Sequence, residues 1–117
     1  MVDLHVDYRA RTWRARFDLC AGDPDAITKA DRERRRPGCV ELEGLFFWAL
    51  DPPAAGVPSR GSEPWLTSDG LLSEAPTETA ARLAKQVPPQ AVAWYLYFAD
   101  LNAFGYCAAE RASFRRL

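Results

Sequence analysis

An alternation of ionisable residues near the N-terminus is the first candidate for chemistry. Asp3, His5 and Asp7 stand at every second position, so on a strand their side chains point the same way. A histidine with two carboxylates could bind a metal ion or act as an acid–base pair. Neighbours two apart on a flat strand lie ~6–7 Å from each other, however, and His5 is the chain's single histidine. The pattern therefore predicts an exposed strand face, with no metal site and no cofactor.

A repeated Arg-Ala-Arg pattern follows and is the second candidate. In a strand these guanidiniums share one sheet surface while Trp13 and Phe17 enter the core. Such a surface could capture a carboxylate or phosphate group, because arginine binds both in bidentate fashion. The alternative is cross-strand ion pairing with Glu41 and Glu43, which have the same two-residue spacing. The predicted binding residues here are Arg9, Arg11, Arg14 and Arg16.

The third candidate is a block of aromatic residues over positions 94–106. It holds six of the chain's fourteen aromatic residues: Trp94, Tyr95, Tyr97, Phe98, Phe104 and Tyr106. On a strand, Trp94 and Phe98 face the core while Tyr95 and Tyr97 face the other way. We predict that these two tyrosines, with Trp65, are partly exposed anchors for a partner, since tyrosine and tryptophan are enriched in interface hot spots. The alternative is that a helix or loop of the chain covers them.

A sheet must position these side chains. Residues 2–10 alternate between apolar and polar, and the alternation resumes with shifted phase over 13–20. Residues 40–50 change midway from alternating to continuously apolar, as expected where both faces become covered. The aromatic block predicts a hairpin of strands 91–99 and 103–109, although a single long helix over this region is an alternative. The predicted strands are therefore 2–10, 13–20, 40–50, 91–99 and 103–109.

Two helices and one long loop complete the predicted fold. Good helix formers between Pro76 and two prolines predict a helix over about 76–86, and Asp23-Pro24 favours a second over 24–35. Residues 51–75 are rich in proline and glycine and predict a loop. The chain, 1–117, is thus expected to be a single α+β domain, with a mostly antiparallel sheet and helices on one face.

Composition narrows the function class. The net charge of −1 argues against a general nucleic-acid binder. Three cysteines at irregular spacing make neither a disulfide framework nor a zinc site, and no apolar run is long enough for a bilayer. We therefore predict a cytoplasmic protein that binds no membrane.

The sequence carries no set of residues that names a reaction. Cysteine nucleophiles need a histidine partner, and the serines lack the context of a hydrolase nucleophile. We expect a non-enzymatic protein-binding module of the inhibitor, immunity or adaptor type, with a protein partner or a second copy of itself. The alternative is a small-molecule pocket protein, or a small enzyme, that binds an anionic ligand between sheet and helix.

Overall fold

The computed structural model describes residues 1–20, 22–52 and 66–117. They form one small domain that is mostly sheet. The six strands are β1 (Asp3–Asp7), β2 (Thr12–Cys20), β3 (Arg35–Leu50), β4 (Leu66–Leu71), β5 (Val92–Phe98) and β6 (Ala103–Arg116). Every neighbouring pair is antiparallel, in the order β1-β2-β3-β6-β5-β4. The antiparallel sheet is confirmed, but it dominates the fold more than a balanced α+β class implies.

The aromatic block folds as a hairpin, so the alternative of one long helix is wrong. β5 and β6 pair from Phe98 opposite Ala103 to Val92 opposite Ala109. The turn places Asn102 at φ 45°, a conformation that asparagine tolerates better than most residues. β6 then continues to Arg116, seven residues beyond the predicted end at 109.

The first predicted strand is too long, because its second part forms a turn. β1 ends at Asp7, whose Oδ1 accepts hydrogen bonds from the backbone N–H groups of Arg9 and Ala10 at 3.0 Å each. Arg11 has φ 57° and completes the reversal into β2. An Asp side chain that bonds the backbone two residues on is a standard turn device, and it accounts for the slip of phase in the sequence.

A bend in β3 divides the sheet into two halves. Gly44 has φ +67°, and the pairing of β3 with β6 shifts register between Leu45 and Phe47. Trp13 packs on Trp48 with ring centroids 5.3 Å apart, although Trp13 pairs with Leu42, six residues before Trp48. A straight strand would separate those two positions by ~20 Å. The strand therefore bends, and one face of the sheet closes on itself.

That closed face, here called the core face, contains the main apolar cluster. Its buried members come from both halves of the sheet: Trp13, Ala15, Phe17, Leu42, Leu45, Leu96, Phe98, Cys107 and Ala109. Helix α2 (Glu78–Ala84) and a 3-10 helix (Leu72–Glu74) lie against the opposite face. There, Leu72, Ala80 and Tyr106 form a second buried cluster. The predicted helix over 76–86 is confirmed with a shorter span, since Thr77 caps its start by accepting from the Ala80 N–H at 3.1 Å.

The remaining differences concern the segments between strands. The second predicted helix, over 24–35, is reduced to α1 (Lys29–Arg32), which buries no residue. Arg35 instead begins β3 by pairing with Cys20, so this strand starts five residues before the predicted position 40. β4 and the 3-10 helix occupy part of the segment predicted as a loop over 51–75. No helix in the described part of the chain has the length and apolar character needed to span a bilayer.

Candidate functional site

The candidate site lies on the face opposite the core, in the half that α2 does not cover. Here β1, β2, β3 and the last part of β6 present long charged side chains side by side. Cross-strand registers align Asp3 with Arg16, Arg14 with Glu41, and Glu43 with Arg111. The charged face is defined here by seven residues: Asp3, Arg14, Arg16, Glu41, Glu43, Arg111 and Arg115.

Each arginine of the charged face pairs with a carboxylate. Arg14 Nε and Arg115 Nη2 both lie 2.9 Å from Glu41 Oε1, so one carboxylate joins two strands to β3. Arg111 Nη2 lies 2.9 Å from Glu43 Oε2. The alternative interpretation, cross-strand pairing with Glu41 and Glu43, is therefore present for Arg14 and Glu41, whereas Glu43 takes its arginine from β6 rather than from β2.

Arg16 pairs with Asp3 on the edge strand. The guanidinium donates through both Nε and Nη2 to one carboxylate oxygen, Oδ2. This hydrogen bond holds the pKa of Asp3 below its usual value and raises the pKa of Arg16. Both side chains are about half exposed, so solvent screens the pair and its contribution to stability is small. The pair's effect is to fix where the two charges lie.

A shallow depression opens on the same face. It has a volume of about 300 Å³ and is lined by Thr12, Arg14, Glu41, Glu43 and Arg111 with four further residues. Cys39 lies on this face between Arg16 and Arg115 in the pairing, and only 1% of its surface is exposed. In the described ranges, no three or more His, Cys, Asp or Glu side chains are grouped so that they could hold a metal ion.

Two of the four predicted arginines lie elsewhere. Arg9 is in the turn after β1, and Arg11 reaches back over the bend in β3. Its Nε donates to the Leu45 carbonyl at 3.2 Å, and its guanidinium carbon lies 5.4 Å from the centre of the Phe46 ring. A salt bridge to Glu110 at 3.8 Å completes these contacts. The contacts of Arg11 therefore join the turn between β1 and β2 to the bend in β3 and to β6.

The predicted tyrosine anchors are half-buried in the covered half of the same face. The Tyr97 hydroxyl donates to Asn102 Oδ1 at 2.8 Å, and its ring lies 4.7 Å from that of Phe104. Tyr95 packs against the buried cluster under α2. The chain's own helix and strands thus supply much of their cover. Trp65 lies outside the described residues.

The sequence interpretation missed Arg111 and Arg115 as members of the charged face. Their four-residue spacing in β6 places them on the same side of that strand, with Ser113 between them. The charged alternation of Glu41 and Glu43 on β3 is the matching signal. The sequence does not show that β3 and β6 are neighbours in the sheet, or which of their residues lie opposite each other.

No family model, curated protein or solved structure matches this chain.

Proposed function

We propose that this chain is a small, non-enzymatic protein-binding module, of the inhibitor, immunity or adaptor type, that recognises its partner with the charged face. The supporting observation is the set of ion pairs on the half of this sheet face that α2 does not cover. Four arginines and three carboxylates alternate there across four strands.

Pairing within the face favours recognition in two ways. A guanidinium already held by a carboxylate has lost part of its rotamer freedom, so ordering it against a partner costs less. Glu41 illustrates this: its side chain is only 23% exposed and is fixed between Arg14 and Arg115. Charges held at defined positions then select a partner with the complementary pattern and reject others by like-charge contact.

The mixture of signs also favours a protein over a nucleic acid. Phosphate backbones are bound by surfaces with excess Lys and Arg, because affinity arises from the release of counterions. On the charged face, every arginine has a carboxylate within 2.9 Å or closer, which opposes the approach of a polyanion. We place the interaction in the cytoplasm, where the free thiols of Cys39 and Cys107 remain reduced.

A small anionic ligand is the second candidate, bound in the depression on the charged face and not between sheet and helix as the sequence predicted. Arg14 and Arg111 with the Thr12 hydroxyl provide donors around a volume of about 300 Å³, at the lower end of ligand-pocket sizes. An anion there would compete with Glu41 and Glu43 for the same guanidiniums. A protein partner can contact both the guanidiniums and the carboxylates of the charged face, which makes the protein-binding proposal the stronger one.

The test is a pulldown from the native host lysate, with two double variants of equal charge change. Arg14→Glu with Arg111→Glu reverses two charges of the charged face. Arg82→Glu with Lys85→Glu reverses two exposed charges on and just after α2, on the covered half. The charged-face variant places like charges opposite Glu41 and Glu43, but exposed cross-strand pairs are worth only ~0.2–1 kcal/mol each, so we expect both variants to fold. Circular dichroism checks this.

We expect the wild type and the α2 variant to recover one stoichiometric partner, and the charged-face variant to lose at least about tenfold in affinity for it. Recovery of no partner, or equal loss in both variants, would contradict the proposal. Titration with inorganic phosphate distinguishes the second candidate, because only an anion pocket predicts saturable binding that Arg14→Gln and Arg111→Gln abolish.

A further inference from the structure

The outer edge of the sheet on one side is formed by β1. β1 is the first strand in the sheet order and pairs only with β2 among the described strands. Asp3 and His5 are exposed, and the neighbouring Val2 and Tyr8 are 41% and 71% exposed. An edge strand presents unpaired backbone N–H and C=O groups, which another extended segment can bind.

The side chains of β1 differ sharply between the two faces. Asp3, His5 and Asp7 lie on the side of the charged face, while Leu4 and Val6 lie on the core face and pack at the margin of the main apolar cluster. A segment added to this edge would therefore continue two surfaces at once. On the side of the charged face, β1 is acidic at its first and last residues, Asp3 and Asp7. On the core face it is apolar.

We propose that β1 accepts, by antiparallel strand addition, an extended partner segment with basic residues at its first and fifth positions and apolar residues between them. The basic side chains would lie opposite Asp3 and Asp7, and the apolar ones opposite Leu4 and Val6. Charge complementarity carries this choice of occupant. Each Asp carboxylate offers about four lone-pair sites, so the bonds to Arg16 and to the turn leave capacity for an incoming cation.

The same charges disfavour one way of pairing two copies of the chain. If β1 paired with its own copy about His5, Asp3 of each copy would lie directly opposite Asp7 of the other, and like charges in directly opposed cross-strand positions are destabilising. A basic segment in that register meets no such repulsion.

This inference rests on the proposed protein-binding function and specifies one contact within it. Strand addition supplies affinity through backbone hydrogen bonds and specificity through alternate side chains. The β1 edge adjoins the charged face through the Asp3–Arg16 pair. A partner could thus contact both surfaces, although each can be tested separately.

The experiment uses the full chain and two synthetic peptides, Ser-Lys-Val-Thr-Val-Lys-Ser and Ser-Glu-Val-Thr-Val-Glu-Ser, in nuclear magnetic resonance titrations. Both peptides have the same β-branched centre and differ only in charge. We expect the lysine peptide to bind about tenfold more tightly, from two cross-strand pairs of opposite charge. Amide exchange should slow within residues 3–7.

Variants assign the preference to the edge. Asp3→Lys with Asp7→Lys should invert the order of the two peptides, and Asp3→Asn alone should reduce the preference to about threefold. Glu78→Gln, at the start of α2 on the covered half, should leave the preference unchanged. Circular dichroism checks the fold of the double variant, and Asp3→Asn serves if that variant does not fold.

Three results would overturn the inference: no binding of either peptide, equal affinity for both, or exchange protection at β4 instead of β1. Sedimentation showing a dimer that Asp3→Lys disrupts would do so as well. If the peptides fail while the lysate partner still depends on Arg14 and Arg111, strand addition is excluded and the proposed function stands. If the peptides bind but no partner is recovered, strand addition to β1 stands and recognition of a partner by the charged face is excluded.

Discussion

Replacing Tyr106 by phenylalanine tests how α2 is attached to the sheet. The Tyr106 side chain is fully buried, and its hydroxyl lies between two elements. It donates to Asp51 Oδ2 at 3.0 Å, just beyond β3, and lies 2.9 Å from Thr77 Oγ1. Thr77 in turn accepts from the Ala80 N–H. One hydroxyl thus joins the sheet, the segment after β3 and the cap of α2.

The magnitude follows from what the substitution removes. Phenylalanine fills the same volume, so no cavity forms and the apolar contacts remain. The loss is one hydrogen bond to a neutral hydroxyl, worth about 1 kcal/mol, and one to a carboxylate, worth ~1.5–3 kcal/mol when buried. Because Asp51 is partly exposed and can turn to water, the lower end applies. We expect Tyr106→Phe to reduce the free energy of unfolding by about 2.5 kcal/mol.

Urea denaturation followed by tryptophan fluorescence measures this. With slopes of ~1–3 kcal/mol per molar urea, the midpoint should fall by about 1 M. Tyr97→Phe is the matched control, since its hydroxyl makes one exposed bond to Asn102 and should shift the midpoint by much less. Equal shifts for the two variants would refute the attachment role of Tyr106.

The same variant predicts a difference at alkaline pH. Burial raises the pKa of Tyr106 above its usual value of 10.0. A group with a raised pKa in the folded state stabilises the fold fully below pH 10, and this contribution is lost as the pH rises towards the folded pKa. The wild type should therefore lose stability above pH 10 more steeply than Tyr106→Phe. Parallel curves for the two proteins would contradict the burial of this phenol.

Two further predictions concern the bend and the core. Gly44→Ala places a side chain at φ +67° and against the Glu110 carboxylate, and should cost ~1–2 kcal/mol, read from the same urea midpoint; an unchanged midpoint would show that β3 does not bend there. Burial raises the pKa of the Cys107 thiol to about 12, so it should resist alkylation near neutral pH until the chain unfolds. Peptide mass mapping measures this, and rapid labelling of the folded protein would contradict it.

The alternation of apolar and polar residues predicted most strands, because one face of each strand is buried. Trp13, Ala15 and Phe17 are almost fully covered while Arg14 and Arg16 remain exposed, which is the pattern that residues 13–20 show. The hairpin of the aromatic block follows the same rule. After the bend in β3, the core face is buried within the sheet, and α2 with the 3-10 helix covers the other face, so both faces are apolar and the sequence shows a continuous run.

The misplaced boundaries have different physical causes. Arg35 to Gly38 belong to β3 through pairing with β2, not through any apolar pattern of their own. β4 contains Ser68, Asp69 and Gly70, which favour turns locally. Hydrogen bonds to β5 impose a strand on them. In both places tertiary pairing overrides local preference.

The candidate site was only partly predictable for a related reason. The types and spacing of Arg14 and Glu41 indicated that they could pair, and they do so at 2.9 Å. The assignment of Glu43 to Arg111, however, depends on β6 lying beside β3, an adjacency between residues 68 positions apart. Spacing within a strand can be read locally, but its neighbour in the sheet cannot.

On the face opposite the core, the bend at Gly44 separates the half that carries the charged face from the half that carries the tyrosines of the aromatic block. Before it, β3 presents Glu41 and Glu43 opposite the core; after it, the same side of the sheet carries Phe47 and Ala49, which pack under α2. Tyr95 and Tyr97 of the aromatic block lie in that covered half and make intramolecular contacts there. The open half is the charged one, so under the proposed function recognition comes from the charge pattern and from the strand edge, not from the burial of apolar surface. A partner for this chain is therefore expected to be selected by complementary charges rather than by a large apolar surface.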